Sequence, residues 1–316
     1  MEVRQLHYFV EVARKGSFSR AALSLGMAQP ALSRQVQQLE AELAIPLFYR
    51  NGRGVSLTSA GELLLSHATT ILNSLSTAAS EVAALRGQPT GTAVIGVPPT
   101  VGRVLTLPLA RGLKQRYPLV SVRIVEGFSG HILEWLANGR IDVGLFYDDP
   151  MMHRFVLEPL VQEALCLIGP AEAGGKIEGA SVPAAKLGEL PLILPSRPHG
   201  LRLYLDETAE RLKLDLQVEL EVDALFSMLQ AVREGLGFTV LPRAAIFDDS
   251  VRSALCVWEI AEPALIRVLS MSTYVQRPTA IASRQVAGIV RDEVRSLMAE
   301  GYWKPLSERM DAEQTG

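Results

Sequence analysis

The chain is organised around residues 16–43, which read GSFSRAALSLGMAQPALSRQVQQLEAEL. Ala22 is followed four residues later by Gly26, and Gly26 six residues later by Leu32, which is the spacing of a helix-turn-helix. A small residue at Ala22 lets a second helix approach closely. Gly26 can take the left-handed backbone conformation that ends one helix and redirects the chain. The stretch therefore predicts two short helices joined by a tight turn, with Ser17 as the N-cap of the first.

The second of these helices has one apolar stripe, formed by Leu32, Val36, Leu39 and Leu43. Its opposite face carries a proline and short polar or cationic side chains: Gln29, Pro30, Ser33, Arg34 and Gln37. Amide, hydroxyl and guanidinium groups on such a face can meet base edges and phosphates in the major groove of DNA. A pair of packed helices with a solvated face is the alternative that the spacing alone leaves open.

The flanking residues extend this pattern into a small domain. A helical repeat of apolar residues precedes it, at Leu6, Phe9, Val10 and Ala13. Two short strand-like runs follow it and flank Asn51-Gly52, which is a strong hairpin signal. Together they predict a winged helix-turn-helix, with Arg50 and Arg53 near the tip of the wing, where arginines reach phosphates or a minor groove. An ordinary surface hairpin is the alternative.

A long helix is predicted over residues 59–87, opening at Thr58 or Ser59, with Ser59 and Glu62 as a candidate capping box. Its apolar positions alternate at steps of four and three, which is a coiled-coil seam: Leu64, Ala68, Ile71, Leu75, Ala78, Val82 and Leu85. We expect a second copy of the chain to cover this seam, and packing onto the body of the same chain is the alternative. Residues 88–91 then predict a hinge.

Residues 1–60 resemble the DNA-binding domain of the LysR-type transcriptional regulators. The matching motifs are LHYFVEVARKGSFSRAA, AQPALSRQVQQLE, LFYR and LTSAGE. The resemblance implies that the recognition helix contacts DNA through Gln29, Pro30, Ser33 and Arg34, and the wing through Arg50 and Arg53. One departure is Ala28, because many relatives have a serine or threonine there that caps the recognition helix, and alanine cannot.

From Thr92 the pattern changes to alternating strands and helices, which predicts an α/β fold with a parallel, doubly wound sheet. The motifs GTAVIGVPP, LANGRIDVGL and AVREGLGFTVLP resemble the effector domains of the same family, which have two Rossmann-like α/β lobes, as in periplasmic binding proteins. After a head over 1–58, we expect lobe I over 92–161 and 267–300 and lobe II over 162–266. A polar, mobile tail is expected over 301–316.

In open α/β sheets, ligands bind beyond the carboxyl ends of the strands, close to helix N-termini. The loops at these places supply the candidate effector-binding residues: Thr100, Ser129, Tyr147, Ser196, Arg197, His199, Arg202 and Phe226. The resemblance implies effector contacts at Thr100 and Ser129, for which plain helix capping is the alternative; His199 is equally well read as a surface loop residue. These side chains suit a small organic anion or polar metabolite.

The composition sets the class of protein. The chain has 316 residues, 48% of them hydrophobic and 21% charged, which is typical of a folded protein. No apolar run reaches the roughly 18 residues of a membrane span, and the N-terminus does not resemble a signal peptide, so we expect a cytoplasmic protein. Basic residues exceed acidic ones in residues 1–58, although the whole chain has a net charge of −3. The two cysteines, Cys166 and Cys256, are predicted to be buried in strands.

These features predict a ligand-responsive transcriptional regulator. Its expected partners are double-stranded promoter DNA, a second copy through residues 59–87, a homotetramer of two such dimers, a small-molecule effector and RNA polymerase, without a membrane or a cofactor. A solute-binding protein of the same two-lobed fold is the alternative. An enzyme is disfavoured, because the sequence contains no G-x-S-x-G, P-loop or H-E-x-x-H motif and its histidines lack metal-ligand spacing.

Overall fold

The computed structural model describes residues 1–51, 54–84, 89–147, 155–175, 177–246, 254–273 and 281–306. Contacts divide the chain into two compact units, one built mainly from Met1–Gly87 and the other mainly from Gln88 onward. Each unit buries hydrophobic residues of its own.

Three helices form the body of the N-terminal unit: α1 (Val3–Lys15), α2 (Phe18–Ser24) and α3 (Gln29–Leu43). Ser17 caps α2, since its hydroxyl accepts a hydrogen bond from the backbone N–H of Arg20. Gly26 has a φ of 61°, in the left-handed region, and reverses the chain between α2 and α3 as predicted.

The apolar stripe of α3 packs into a core that it shares with α1 and α2. Leu32, Val36 and Leu39 are fully buried there, as predicted. Leu43 differs and is 38% exposed, because the helix ends at this residue and Ala44 adopts a left-handed conformation with a φ of 53°. At the other end of α3, Ala28 provides no side-chain cap, in agreement with its sequence.

A hairpin follows the helices, as predicted. Its strands β1 (Phe48–Asn51) and β2 (Gly54–Leu57) pair antiparallel. The ring centroid of Phe48 lies 5.3 Å from that of Phe9 and 5.8 Å from that of Phe18, which fastens the wing to the helical core. Residues 52 and 53, at the tip, lie outside the described residues.

The long helix α4 spans Ser59–Ala84. Of the two predicted openings the structure has Thr58, whose hydroxyl accepts a hydrogen bond from the backbone N–H of Gly61 at 3.0 Å; Ser59 is the first helical residue and not the cap. Gly61 is required at this place, because a Cβ there would collide with the carbonyl oxygen of Leu47.

The predicted seam of α4 divides into a buried and an exposed part. Ala68 is fully buried and Leu64 half-buried in the core of the N-terminal unit. Farther along the helix, Ile71, Leu75 and Val82 are 37%, 46% and 68% exposed. The second part of the helix therefore presents apolar side chains that its own unit does not cover.

The C-terminal unit begins with the predicted alternation of strands and helices: β3 (Gly91–Val97), α5 (Pro99–Arg116), β4 (Val120–Glu126), α6 (Ser129–Ala137) and β5 (Val143–Phe146). Strand β3 lies between β4 and β5 and is parallel to both. The carboxyl ends of the three strands therefore lie at one edge of the sheet, where α5 and α6 begin.

The long strand β6 (Glu158–Pro170) leads into the second lobe. The elements that follow it are β7 (Ser181–Pro183), β8 (Leu192–Leu194), α7 (Gly200–Leu212), β9 (Val218–Glu221), α8 (Leu225–Arg233), β10 (Thr239–Pro242) and β11 (Leu255–Ala261). Strand β7 was not predicted, and β11 was anticipated only by the expectation that Cys256 lies in a strand. Separate buried clusters surround Leu105 and Leu269 in the first lobe and Leu194 and Trp258 in the second, which confirms the two-lobed architecture.

Two antiparallel strands connect the lobes, β6 and β12 (Ile266–Thr273). The first half of β6 pairs with β12, and the second half pairs with β10 and β11. Since β12 is also antiparallel to β5, the sheet is mixed and not purely parallel as predicted. Any movement of one lobe relative to the other must therefore be transmitted through β6 and β12.

The chain closes with α9 (Ile281–Ala299), which packs against α5. The residues just beyond it differ from the mobile tail expected over 301–316. Trp303 is 3% exposed, and Lys304 exchanges two backbone hydrogen bonds with Gln162 of β6. Residues 307–316 lie outside the described part of the chain.

Both cysteines are free thiols. Cys166 is buried in β6 as predicted, and burial raises the pKa of its thiol, which disfavours the reactive thiolate. Cys256 on β11 is only half-buried.

None of the helices in the described part of the chain combines the length and the hydrophobicity that a bilayer crossing requires.

Candidate functional site

The outer face of α3 is the first candidate site, and we call its five predicted contact residues the recognition face. Gln29, Pro30, Arg34 and Gln37 are exposed, and Ser33 is half-buried. The buried residues Leu32, Val36 and Leu39 hold the opposite side of the helix against the core. The recognition face is thus a rigidly mounted surface of amide, hydroxyl and guanidinium groups, with the dimensions of a helix that enters a major groove.

The predicted wing contacts are less fully described. Arg50 lies on β1, and nothing further is described of its side chain, while Arg53 lies outside the described residues altogether. Their proposed contacts with DNA stay predictions.

A cavity in the C-terminal unit is the second candidate site. It encloses about 560 Å³ of space, the open solvent at its mouth included. Its lining residues come from both lobes: Pro98, Pro99, Thr100, Phe128, Ser129, Tyr147, Pro195, His199, Leu201, Asp223, Leu225, Met228, Leu241, Pro242 and Arg267. Apolar walls with a few polar groups are typical of a site that binds a small organic molecule.

Two helix N-termini meet the cavity. Thr100 is the second residue of α5, and Ser129 is the first residue of α6. The Ser129 hydroxyl oxygen accepts the backbone N–H of Tyr147 at 3.1 Å. The hydroxyl proton of Ser129 can therefore be donated to a ligand, together with the free backbone N–H groups and the positive end of the helix dipole.

Arg267, near the start of β12, is a buried cation in the cavity wall, with 6% of its surface exposed. It lies opposite Glu163 of β6, and its Nη2 donates to Glu163 Oε2 at 3.3 Å. Trp303 Nε1 donates to the other oxygen of that carboxylate at 2.8 Å. The guanidinium also lies over the ring of Tyr147, 3.8 Å from its centroid, as in a cation–π contact.

Tyr147 carries a buried hydroxyl in the same wall. Burial and the neighbouring Glu163 carboxylate raise its pKa well above the ordinary value, so the phenol is protonated at neutral pH. The Thr100 and Glu163 side chains are near enough to influence this pKa, yet no group among the described residues meets the hydroxyl with the distance and angles of a hydrogen bond. Tyr147 is thus a donor that the described protein groups leave unused.

His199 lies on the side of the cavity that the second lobe provides. Its Nδ1 accepts the backbone N–H of Leu201 at 3.0 Å and so caps α7, while its ring lies 4.2 Å from that of Phe128. Burial, and then the charge of Arg267, lower its pKa to about 4, against an opposing effect of Asp223. The imidazole is therefore neutral at pH 7 and, with Nδ1 an acceptor, carries its proton on Nε2.

This pKa predicts an acid-sensitive stability. A histidine that titrates near 6.5 when unfolded and about 4 when folded stabilises the fold fully above pH 6.5 and loses that contribution as pH falls towards 4. Relative to pH 7, we expect wild type to lose up to about 2 kcal/mol at pH 5 from this group alone. His199→Asn keeps a capping oxygen but cannot titrate, so the variant should lose less over the same interval.

Denaturant unfolding of the C-terminal unit at pH 7, 6 and 5 measures the difference. Parallel pH profiles for wild type and His199→Asn would show that His199 titrates alike in the folded and unfolded chains. Thr100→Ser, a conservative change in the same cavity that does not titrate, is the matched control and should follow wild type.

Of the eight candidate effector residues, the structure brings four together in the cavity wall: Thr100, Ser129, Tyr147 and His199. Ser196 instead donates to the carboxylate of Asp223 through its backbone N–H and its hydroxyl. Arg197 is 63% exposed at its side chain and pairs with Asp206. Thus neither Ser196 nor Arg197 is part of the lining.

The remaining two candidates also lie away from the lining. Arg202 is buried, but its guanidinium is bound by Asp206, Glu221 and the carbonyl of Pro195, which makes it a structural cation at the start of α7. Phe226 on α8 is 67% exposed, and its neighbours Leu225 and Met228 line the cavity instead.

Arg267 is the principal cavity residue that the sequence analysis missed. A signal was present, because the runs VQEALCLIG and LIRVLSMST each place a charged residue inside an otherwise apolar strand. Charged residues are almost never buried unless they are paired, so one charged residue in each of two buried strands indicates that the two residues pair with each other.

In the described residues there is no cluster of three or more side chains suited to a metal ion.

A winged helix-turn-helix with a largely exposed recognition face, a long helix, and a two-lobed unit with a cavity lined from both lobes together define the class of ligand-responsive transcriptional regulators. A family model described as a bacterial regulatory helix-turn-helix protein of the lysR family matches residues 3–62. A second model, the LysR substrate binding domain, matches residues 86–295. The chain therefore belongs to the LysR family and is a LysR-type transcriptional regulator, which confirms the predicted family.

Known proteins agree with this assignment. The nitrogen assimilation regulatory protein nac of Klebsiella aerogenes is 32% identical over 78% of this chain and 79% of its own. A full-length OxyR structure from Pseudomonas aeruginosa is 24% identical, with a TM-score of 0.72, over 93% of this chain and 95% of that one. CbnR complexed with its target DNA is 24% identical, with a TM-score of 0.69, over 94% and 99%. The two structures show that the fold extends over both units, and nothing in the comparisons supports a solute-binding protein without a regulatory role.

Proposed function

We propose that this regulator binds promoter DNA with the recognition face of α3 and changes its hold on that DNA when a small organic anion occupies the cavity. One observation supports the DNA-binding half most directly: the recognition face is exposed and polar while the other side of the same helix is fully buried. The structure of CbnR with its target DNA, which shares the fold, supports the same use of the head.

Within the recognition face, Arg34 suits a guanine edge or a phosphate, while Gln29 and Gln37 suit base edges, adenine above all. Ser33 and Pro30 are short enough to let the helix approach the groove closely. On the wing, Arg50 and Arg53 are proposed to reach phosphates or a minor groove. These contacts are expected to make binding fall steeply with salt while one sequence remains preferred.

Self-association is part of the proposal. The exposed residues Ile71, Leu75 and Val82 continue a heptad-like seam, and an apolar stripe of this kind is stable only when another helix covers it. A second copy paired through α4 presents two recognition faces to two half-sites. We propose a homodimer through residues 59–87 and a homotetramer of two dimers on the promoter.

The effector is proposed to act through the two strands that connect the lobes. The cavity is lined from both lobes, so a ligand there favours one arrangement of the lobes over another. A tenfold preference for that arrangement corresponds to about 1.4 kcal/mol of coupling. The proposed setting is the cytoplasm, where promoter DNA and RNA polymerase are found, and the cavity is assigned a binding role and no reaction.

Arg34→Ala tests the DNA-binding half. We expect it to weaken binding to a preferred duplex, selected by the wild-type protein from a random pool, by about 1–3 kcal/mol. If Arg34 contacts a phosphate, the salt slope should fall by about one. Arg14→Ala, an exposed arginine at the end of α1, is the matched control and should keep the preference for the selected duplex.

Filter binding over a salt series, with selected and scrambled duplexes, gives both quantities. Thr100→Val complements the test, since it should impair the ligand response and spare DNA binding. Equal affinity of wild type for every duplex would reject the proposal, and so would variants that each lose both activities.

A further inference from the structure

We infer that the effector is a carboxylate and that Arg267, which the sequence analysis did not select, is the residue that binds its charge. The inference rests on the proposed effector-binding role of the cavity and specifies the chemistry of the ligand. It assigns the anion to a cation on the strands that connect the lobes, and not to Arg197 or Arg202 in the loop before α7.

The first argument is that Arg267 has a donor to spare. Its Nη2 is used by Glu163, but its Nε lies buried without a hydrogen-bond partner among the described residues. A buried guanidinium donor without an acceptor destabilises the empty site, and a ligand oxygen at that position would remove the penalty. Arg197 and Arg202, by contrast, are bound by carboxylates outside the cavity lining.

The second argument is that further donors line the same wall. The Tyr147 hydroxyl is buried without a partner in the described structure, and the Ser129 hydroxyl has its proton free because its oxygen accepts a backbone N–H. The helices α5 and α6 begin at the cavity, at Pro99 and Ser129, and their positive ends favour an anion. A carboxylate accepts up to about four hydrogen bonds, which suits a guanidinium, a phenol and a serine hydroxyl.

The third argument concerns the other charges near the cavity. Glu163 offsets part of the charge of Arg267, but it accepts from Nη2 at 3.3 Å and from Trp303 through its other oxygen, so the Nε of Arg267 keeps no partner among the described residues. Asp223 also lines the cavity, but its carboxylate accepts the N–H and the hydroxyl of Ser196. Both carboxylates are thus bound by protein donors, and neither accepts the Nε–H of Arg267.

The remaining walls describe the uncharged part of the ligand. Prolines, leucines and a methionine surround the cavity, and the Phe128 ring lies against it beside the neutral imidazole of His199. Such walls suit an apolar, planar or branched body and disfavour a sugar or a second charge. The ligand class is thus a carboxylic acid with a small apolar body.

Matched acids and amides test the inference on the full-length protein. Benzoate and benzamide have the same shape, and so do phenylacetate and phenylacetamide, and butyrate and butyramide, but only the acids are charged. We expect at least one acid to bind saturably by calorimetry, and its amide to bind roughly 10- to 100-fold more weakly, since charge-assisted hydrogen bonds have that magnitude.

The protein side is tested with Arg267→Met combined with Glu163→Gln, because the double change removes the cation without leaving a buried carboxylate unpaired. The acid should bind roughly 10- to 100-fold more weakly to this variant, whereas the amide should be unaffected. Glu163→Gln alone shows the effect of the carboxylate. Arg291→Met is the matched control, since Arg291 also pairs with a β6 glutamate, Glu158, but does not line the cavity.

Three results would overturn the inference: equal binding of acids and amides, no binding by any of the three acids, or unchanged acid binding by the double variant. None of these results bears on the DNA-binding half of the proposed function, which is tested separately by the filter-binding series with Arg34→Ala. If the acids fail while another compound binds in a manner that Thr100→Val abolishes, the effector site stands and only its carboxylate chemistry is wrong.

Discussion

Replacing Phe9 by alanine should unfold the N-terminal unit and leave the cavity-bearing unit intact. Phe9 is fully buried, and its ring packs against Phe48 of the wing, so it joins helix and hairpin in one small core. Truncating a buried phenylalanine costs about 3–5 kcal/mol. A domain of this size has few other contacts with which to absorb that loss, because small domains bury a smaller share of their surface.

Amide hydrogen exchange resolves the two units separately. Peptides from residues 1–60 should lose protection by a factor that corresponds to those 3–5 kcal/mol, while peptides from β3 to β5 should keep theirs. Leu23→Ala, at an 85% exposed position on α2, is the matched control and should change stability by less than about 0.5 kcal/mol. Preserved protection around Phe9, or an equal loss in both units, would contradict the separation of the units.

The head could be predicted closely from the sequence because its signals are local. Helical periodicity, Ser17 as a cap and Gly26 at a turn each act within a few residues, and each appears in the structure as predicted. What the sequence left open is also local: the choice between Thr58 and Ser59 as the cap of α4 depends on the Thr58 hydroxyl, which accepts the Gly61 N–H. Sequence periodicity locates a helix end only to within a residue or two.

The cavity could be predicted only in part. The rule that ligands bind beyond the carboxyl ends of the strands says where a loop lies, but not where its side chains point. It found Thr100, Ser129 and Tyr147, which sit where strands end and helices begin. It failed for Arg197 and Phe226: Asp206 draws the arginine outward, and the turn of α8 directs the phenylalanine to the surface.

Arg267 was not predicted from the sequence for a different reason. It is placed by its pairing with Glu163, and the two residues lie 104 positions apart in the chain. Trp303, which orients the same carboxylate, lies in a segment that looked like a polar tail. Only the tertiary structure brings these three residues together, although the isolated charges within apolar strands were a usable warning.

The pair of Arg267 and Glu163 carries the other large prediction, which concerns stability without a ligand. Arg267→Met should destabilise the C-terminal unit by about 3–5 kcal/mol, because it leaves the Glu163 carboxylate buried beside Trp303 without a counter-charge. Adding Glu163→Gln should restore most of that loss, since the amide oxygen can still accept the indole N–H and no charge remains buried. The two substitutions are therefore expected to be strongly non-additive.

Denaturant unfolding of the two single variants and the double variant measures this coupling. Arg291 and Glu158 form the matched control pair: they are bonded at 2.6 and 2.7 Å, but their side chains are 39% and 42% exposed. Solvent screens such a pair, so Arg291→Met should cost only about 0–1 kcal/mol. If Arg267→Met cost no more than this control, or if the double variant were as unstable as the single one, the Glu163 carboxylate would not depend on Arg267 as its buried counter-charge. Arg267 would then not be the fixed cation that the cavity presents to an acid.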